Sequence, residues 1–328
     1  MDCLSSHLRL SKIAGVFLLK VSALVLICII FLGNSGIYGV EIQKHRAVVL
    51  VSLNIRPYLE ALEALEETIL RNPDVRMEVF FLDNYEGKRR KKLLKRISGD
   101  DENIFIAIGP EAARFVWTEP LFDRCHRIFT MVLNPEKVIP PLQQPCGISL
   151  NIPVETQVRI FKKALPLMKS IGLLYNAEYN ATFSKEAMQA ASEMGLKIIP
   201  LEVSLRKEIP NILSRHWSVI DGLWMIPDHT IIAESLVRHI IKESISHGVP
   251  VIGFNRFFYE SGAALCYILD YDEIGKQTGR LLMDLLGSEF CGKEPPFFKV
   301  WYNHKVLNRL GLHYISVYPD DVETGPDK

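Results

Sequence analysis

Ala47-Val48-Val49-Leu50-Val51-Ser52 is an unbroken apolar run of strand length, the pattern of a strand covered on both faces. From about Pro57 the period changes. Leu59, Leu62, Leu65 and Ile69 form one stripe, and Glu60, Glu63, Glu66 and Glu67 lie opposite, which predicts an amphipathic helix opened by a first-turn proline. Met77–Leu82 reads as a second strand. A basic helix follows, with Leu93, Leu94 and Ile97 facing inward. Asn103–Ile108 is a third strand, turning at Gly109-Pro110-Glu111-Ala112-Ala113 into a short helix. Ile128–Leu133 is a fourth.

After Pro140-Pro141-Leu142-Gln143-Gln144-Pro145 the pattern restarts. Pro153 opens a helix with Val158, Phe161 and Leu165 inward. Ser170–Tyr175 is a strand, Asn180–Glu193 a helix ending at Gly195, and Leu196–Leu201 a strand. A helix near Lys207–Leu213, a strand at Val219–Met225 and a helix capped by Thr230, with Ile232, Leu236 and Ile240 inward, come next. Val249–Gly253 and Ala263–Ile268 are further strands. The last long helix turns Ile274, Leu281, Leu282 and Leu285 inward. Strand–helix alternation at this spacing predicts an α/β protein with two doubly wound parallel-sheet lobes. Ligands of such sheets lie beyond the C-terminal strand ends. Here those ends are Ser52-Leu53-Asn54, Gly109-Pro110-Glu111, Leu133-Asn134, Tyr175-Asn176, Pro227-Asp228 and Phe254-Asn255, several of them short and polar.

The first residues depart from this alternation. Arg9, Lys12 and Lys20 precede the apolar run Val21–Leu32, which ends in Gly33-Asn34-Ser35-Gly36. Positive start, short apolar stretch and small residues are the order of a secretory signal. The alternative is a retained anchor over 13–32, which would place Lys20 in the hydrocarbon. Lys+Arg and Asp+Glu are both 38, so the net charge of the 328 residues is zero and gives no field for holding nucleic acid. The basic run Lys88–Lys92 with Lys95 and Arg96 reads as the solvated face of its helix. Cys125, Cys146, Cys266 and Cys291 follow the N-terminal segment, and an exported chain permits bridges among them. Cys266 lies in an apolar strand and reads as a buried thiol. Cys125 and Cys146 flank one strand and loop and are the pair expected to bridge, if any.

Motifs for chemistry are missing. The sequence has no Gly-x-Ser-x-Gly elbow, no phosphate-binding loop, no Gly-x-Gly-x-x-Gly and no His-Glu-x-x-His, and implies no metal or cofactor. His229, beside Asp228 at a strand end, is the one histidine placed for acid–base work, and a helix-start role suits it as well. Asn180-Ala181-Thr182 fits a glycosylation sequon.

The second half carries Gly172-Leu173-Leu174-Tyr175-Asn176, the passage Asp221–Thr230, Gly248-Val249-Pro250-Val251, Ser261-Gly262-Ala263-Ala264-Leu265, Asp270–Gly279 and Val306–Leu312. In order and spacing these resemble the ABC-transporter substrate-binding proteins of the tryptophan/tyrosine-binding group, over roughly residues 46–318. The resemblance implies a type I periplasmic-binding-protein fold: two lobes joined by three crossings, near Leu150-Asn151, Leu269-Asp270 and Lys299-Val300. It divides the chain into a signal or anchor (1–39), one lobe (40–150 plus 270–298), a second lobe (151–269 plus 299–318) and a tail (319–328). It implies an amino acid or similar solute, with a permease and its ATPase as partners, outside the cytoplasm and without nucleic acid. The matching cleft positions are Ser52, Asn54, Gly109, Glu111, Ala112, Tyr175, Asn176, Asp228, Phe254 and Asn255. Pro110-Glu111 and Asn54-Ile55-Arg56-Pro57 depart from the group's pattern; Glu111 would meet a ligand amine and Arg56 a ligand carboxylate.

Three readings follow. The first is an extracytoplasmic solute-binding protein, not an enzyme, that closes two lobes on its ligand, with helix-start amides holding anionic groups and Tyr175, Phe254 and Tyr58 covering an apolar part. The second is the same clamp held at the membrane as a sensor. The third is an exported α/β enzyme using Asp228-His229 or Glu111.

Overall fold

The apolar run read as the first strand is β1 (His45–Val51), whose last five residues are buried. A computed structural model describes residues 45–85, 87–98, 103–140, 145–287 and 291–317. The expected N-terminal signal or anchor and the tail from 319 lie outside the described residues. The first half continues with α1 (Arg56–Ile69), β2 (Val75–Phe81), α2 (Lys88–Ile97), β3 (Asn103–Ile108), α3 (Pro110–Thr118), β4 (His126–Val132) and β5 (Cys146–Ser149). The second holds α4 (Val154–Ala164), β6 (Ser170–Tyr175), α5 (Ala177–Glu193), β7 (Lys197–Glu202), α6 (Ile209–His216), β8 (Gly222–Met225) and α7 (Glu234–Ser246). It ends with β9 (Val251–Gly253), α8 (Arg256–Glu260), β10 (Leu265–Leu269), α9 (Tyr271–Gly287), β11 (Lys293–Glu294), β12 (Phe298–Tyr302) and α10 (His304–Arg309).

The strands form two six-stranded sheets, β11-β5-β4-β3-β1-β2 and β12-β10-β9-β8-β6-β7. Among the described residues every strand pairing is parallel except β10–β12. Apolar clusters cover both faces of each sheet. In the first, α1 and α9 pack on one side and α2 and α3 on the other. In the second, α4, α5 and α10 oppose α6, α7 and α8. This double cover explains why the strands read as continuous apolar runs and not as alternating ones.

The chain passes between the sheets after β5, between β10 and α9, and over 295–297 between β11 and β12. The third passage therefore lies a few residues ahead of Lys299-Val300, because Phe298 already pairs with Leu269. Strands β5 and β11 are four and two residues long, too short to leave a periodic trace in the sequence. Thr230 does not cap α7, which starts four residues later. Its hydroxyl accepts a bond from Asn176 instead, and Ile232 is left exposed.

Helix α9 reaches α1 through glycine. A Cβ on Gly275 would lie 2.2 Å from the Ala61 carbonyl oxygen, and one on Gly279 2.5 Å from the Thr68 side chain. The backbone contact has no flexible end to yield. Gly275→Ala is therefore expected to destabilise the protein by about 1–3 kcal/mol, against a gain in helix propensity of less than about 1 kcal/mol. A urea midpoint unchanged or raised in the variant would contradict this packing.

Candidate functional site: a cleft between two sheets

The C-terminal ends of both sheets face a cavity of ≈ 1070 Å³. Lobe one, built on the first sheet, contributes the start of α1 (Arg56, Pro57, Glu60) and the loop after β4 (Leu133, Asn134, Glu136, Lys137). Lobe two contributes the first turns of α5, the β8 end (Ile226, Pro227) and the β9 end with α8. Asn151 and Asp270, at two of the passages, line it as well. Aromatic rings supply much of the wall: Tyr179, Phe183, Phe254, Phe257, Tyr267 and Tyr271.

Of the residues expected at the cleft, Phe254 and Asn255 line the cavity. Phe254 packs on Phe258 with ring centres 4.5 Å apart, and Asn255 caps α8 by accepting from the Phe258 amide. In lobe one, Ser52, Gly109 and Ala112 are brought together but turned on each other. The Ser52 hydroxyl accepts the Ala112 amide at 2.9 Å. Gly109 sits at φ +92°, and a Cβ there would lie 2.6 Å from the Ser52 Oγ and 2.8 Å from the Tyr58 ring. Only glycine lets the turn, the serine and the tyrosine share this space. Asn54 and Glu111 are exposed. Burial raises the Tyr58 phenol above its ordinary value, with Glu111 and Tyr271 adding to it. Burial and Glu60 do the same for Tyr271. Both phenols therefore remain neutral donors at physiological pH.

In lobe two, Asn176 and Asp228 are buried in one network. Asp228 Oδ2 accepts the Asn176 amide (2.8 Å) and the Asn180 side chain (2.7 Å), and Oδ1 accepts the Thr230 amide (2.8 Å). Asn176 caps α5 through the Glu178 amide. These two residues shape the wall; Asn180, which lines the cavity, carries the network to its surface. The same bonds occupy the sequon amide, which also donates to the Pro227 carbonyl. Tyr175 faces the core under α4 and α5, its hydroxyl directed to Glu202 across the β6–β7 pair. It follows Leu173 and Ile171 on that face by strand alternation, and so turns away from the cavity.

The helix-start amides expected to hold anions are already taken in part by the chain itself: Ala112 by Ser52, Glu178 by Asn176 and Phe258 by Asn255. The wall of α5 was not anticipated. Tyr179, Thr182, Phe183 and Glu186 recur at helical spacing and line the cavity, a pattern that in sequence reads simply as one face of a helix. The backbone leaves helical geometry at Asn180 (φ −130°, ψ 21°), a kink within this cavity-lining stretch. Arg56, noted for a ligand carboxylate, does line the cavity but is bound to Glu60 at 2.6 Å.

The cysteine expectation is overturned. Cys146 bridges Cys291, with Cα atoms 5.3 Å apart, and Cys125 remains a thiol. Cys125 packs with the α2–α3 side of the first sheet and Cys146 with the α1–α9 side, so the sheet separates them. Cys266 is fully buried, which holds its thiol protonated and inert.

A sequence profile described as ABC transporter substrate binding protein matches residues 88–318. The chain belongs to this family. Its sheets and crossings are those of the type I periplasmic-binding-protein fold. A tyrosine-binding protein of Clostridioides difficile (strain R20291) is 23% identical over 213 residues, 62% of this chain and 61% of that protein. The chain thus spans about three-fifths of that relative's length. Among solved structures, a ligand-free, open substrate-binding protein with adhesive properties from Clostridium difficile superposes with a TM-score of 0.68 at 18% identity, covering 84% of this chain and 97% of that one. An ABC domain in complex with L-Trp from Streptococcus pneumonia gives 0.53 at 19%, covering 82% and 95%. Among the described residues of this family member, no helix is long and apolar enough to cross a membrane.

Proposed function

We propose that this substrate-binding protein works outside the cytoplasm, closes its lobes on an amino acid with an aromatic or apolar side chain, and delivers it to a permease with its ATPase. The aromatic lining of a cavity shared by both lobes carries this reading. A ligand touching both walls favours the closed form, and closure is the signal a membrane partner can read. The tyrosine-binding relative and the tryptophan-bound neighbour support the choice of solute. The three donors held by Asp228 favour binding over turnover, since a carboxylate so engaged is poorly placed to abstract a proton.

A thermal-shift panel of amino acids, nucleosides, sugars and small acids tests the reading. At a hundred times its dissociation constant a ligand adds about 2.7 kcal/mol to the folded state. Tyrosine, tryptophan or phenylalanine is expected to raise the midpoint. A response confined to sugars or nucleosides would overturn the proposed solute class.

A further inference from the structure

Binding an amino acid requires a partner for its carboxylate, and the cleft offers few. Several helix-start amides are self-capped, as described above. Arg56 is held by Glu60, Arg256 by Glu260 at 2.8 Å, and Lys299 by Asp270 at 3.1 Å. Among the described residues, the lining cations without a carboxylate partner are Lys137 and Lys293. Lys293 lies on the two-residue edge strand β11. Lys137 ends the turn Pro135–Lys137 after β4 in lobe one. Its Nζ donates across the cleft to the Tyr179 carbonyl of lobe two at 3.1 Å. That carbonyl immediately precedes the break in α5 at Asn180. Tyr179 and Phe183 stand on the same wall.

We propose that Lys137 is the carboxylate anchor of the solute site. Its ammonium rests on a neutral carbonyl of the opposite lobe. An ammonium has three donors, so one can keep the Tyr179 carbonyl while the others take a carboxylate. A charged acceptor binds it more strongly than the carbonyl does. The solute's carboxylate thus joins a contact that already spans both lobes, and its aromatic side chain lies along Tyr179 and Phe183. This assignment moves the recognition of the acid group from the strand ends to the β4 loop. It rests on the amino-acid reading above.

Calorimetric titration of L-tyrosine and L-tryptophan against tyramine and tryptamine, which lack the carboxylate, is the test. The wild-type protein is expected to bind the acids on the order of tenfold to a hundredfold more tightly than the amines. Lys137→Met is expected to abolish that preference by weakening the acids alone, Lys137→Arg to retain part of it, and Lys293→Met to leave it intact. If Lys137→Met weakens acid and amine equally, the lysine only latches the lobes and the inference fails. If Lys293→Met removes the preference instead, the anchor is Lys293. If the wild-type protein binds the amines as well as the acids, no carboxylate anchor exists. If it binds none of the four, the amino-acid reading itself fails.

Discussion

Asp228→Ala is expected to remove about 3–5 kcal/mol of stability, a large share of what holds a protein of this size together. Asp228 is 3% exposed, and its carboxylate satisfies three donors from three segments: the β6 end, the first turn of α5 and the β8 loop. Alanine leaves two backbone amides and one side-chain amide buried or half-buried without their partner. Each such loss is worth about 1–3 kcal/mol, less where water can enter. Asp228→Asn keeps the shape but offers one acceptor oxygen and a repelling NH2, so it is expected to fall between. Asn180→Ala removes two side-chain bonds at the half-exposed cavity wall, to Asp228 and to the Pro227 carbonyl, and should cost about 1–2 kcal/mol. Urea unfolding of the three variants gives the order. A stable Asp228→Ala protein that had lost only ligand affinity would instead place this carboxylate on the solute, as first expected from its strand-end position. The structural role also implies that affinity falls with stability, because Pro227 and Asn180 would lose their fixed positions on the wall.

The sheets were legible because their residues are apolar on both faces, and that pattern survives in a single sequence. Leu50, Ile106 and Leu223 are fully buried as their runs demand. The shorter strands were not legible. The two residues of β11 are a strand only because β5 lies beside them, 145 positions earlier in the case of the bridged cysteines. At the site, strand-end position proved a coarser guide than side-chain direction. Ser52, Asn176 and Asp228 are at the strand ends, as predicted, yet their polar atoms are spent on capping and on one another. Phe254 and Asn255 face the cavity because the chain turns there into α8. Tyr179 and Phe183 escaped notice because an aromatic pair four apart on a helix is the ordinary signature of a core face.

Removing the Cys146–Cys291 bridge is expected to lower stability by up to about 5 kcal/mol. A bridge across 145 positions constrains nearly half of the 328-residue chain in its unfolded state, and loop-closure entropy for a separation of that order is roughly 5 kcal/mol, an upper figure where the unfolded chain keeps residual structure. The native geometry makes the bridge more than an entropic tie. Strand β11 is held to β5 by two register pairs, with the Gly147 amide donating to the Gly292 carbonyl at 3.1 Å. The bridge lies at this same edge, one residue ahead of each partner. The third passage to the second sheet begins directly after β11, so the bridge fixes one end of a segment that the proposed lobe closure would bend. Cys146→Ser/Cys291→Ser and the chemically reduced wild type should share the lowered guanidinium midpoint, while Cys125→Ser should not. Peptide mapping without reductant should recover Cys146 joined to Cys291; a Cys125–Cys146 peptide would overturn the assignment. If reduction lowers stability by several kcal/mol yet leaves solute affinity intact, the bridge secures the sheet edge alone. If affinity falls beyond what lost stability explains, the anchored passage is part of the hinge, because a ligand-driven closure needs both ends of its pivot held.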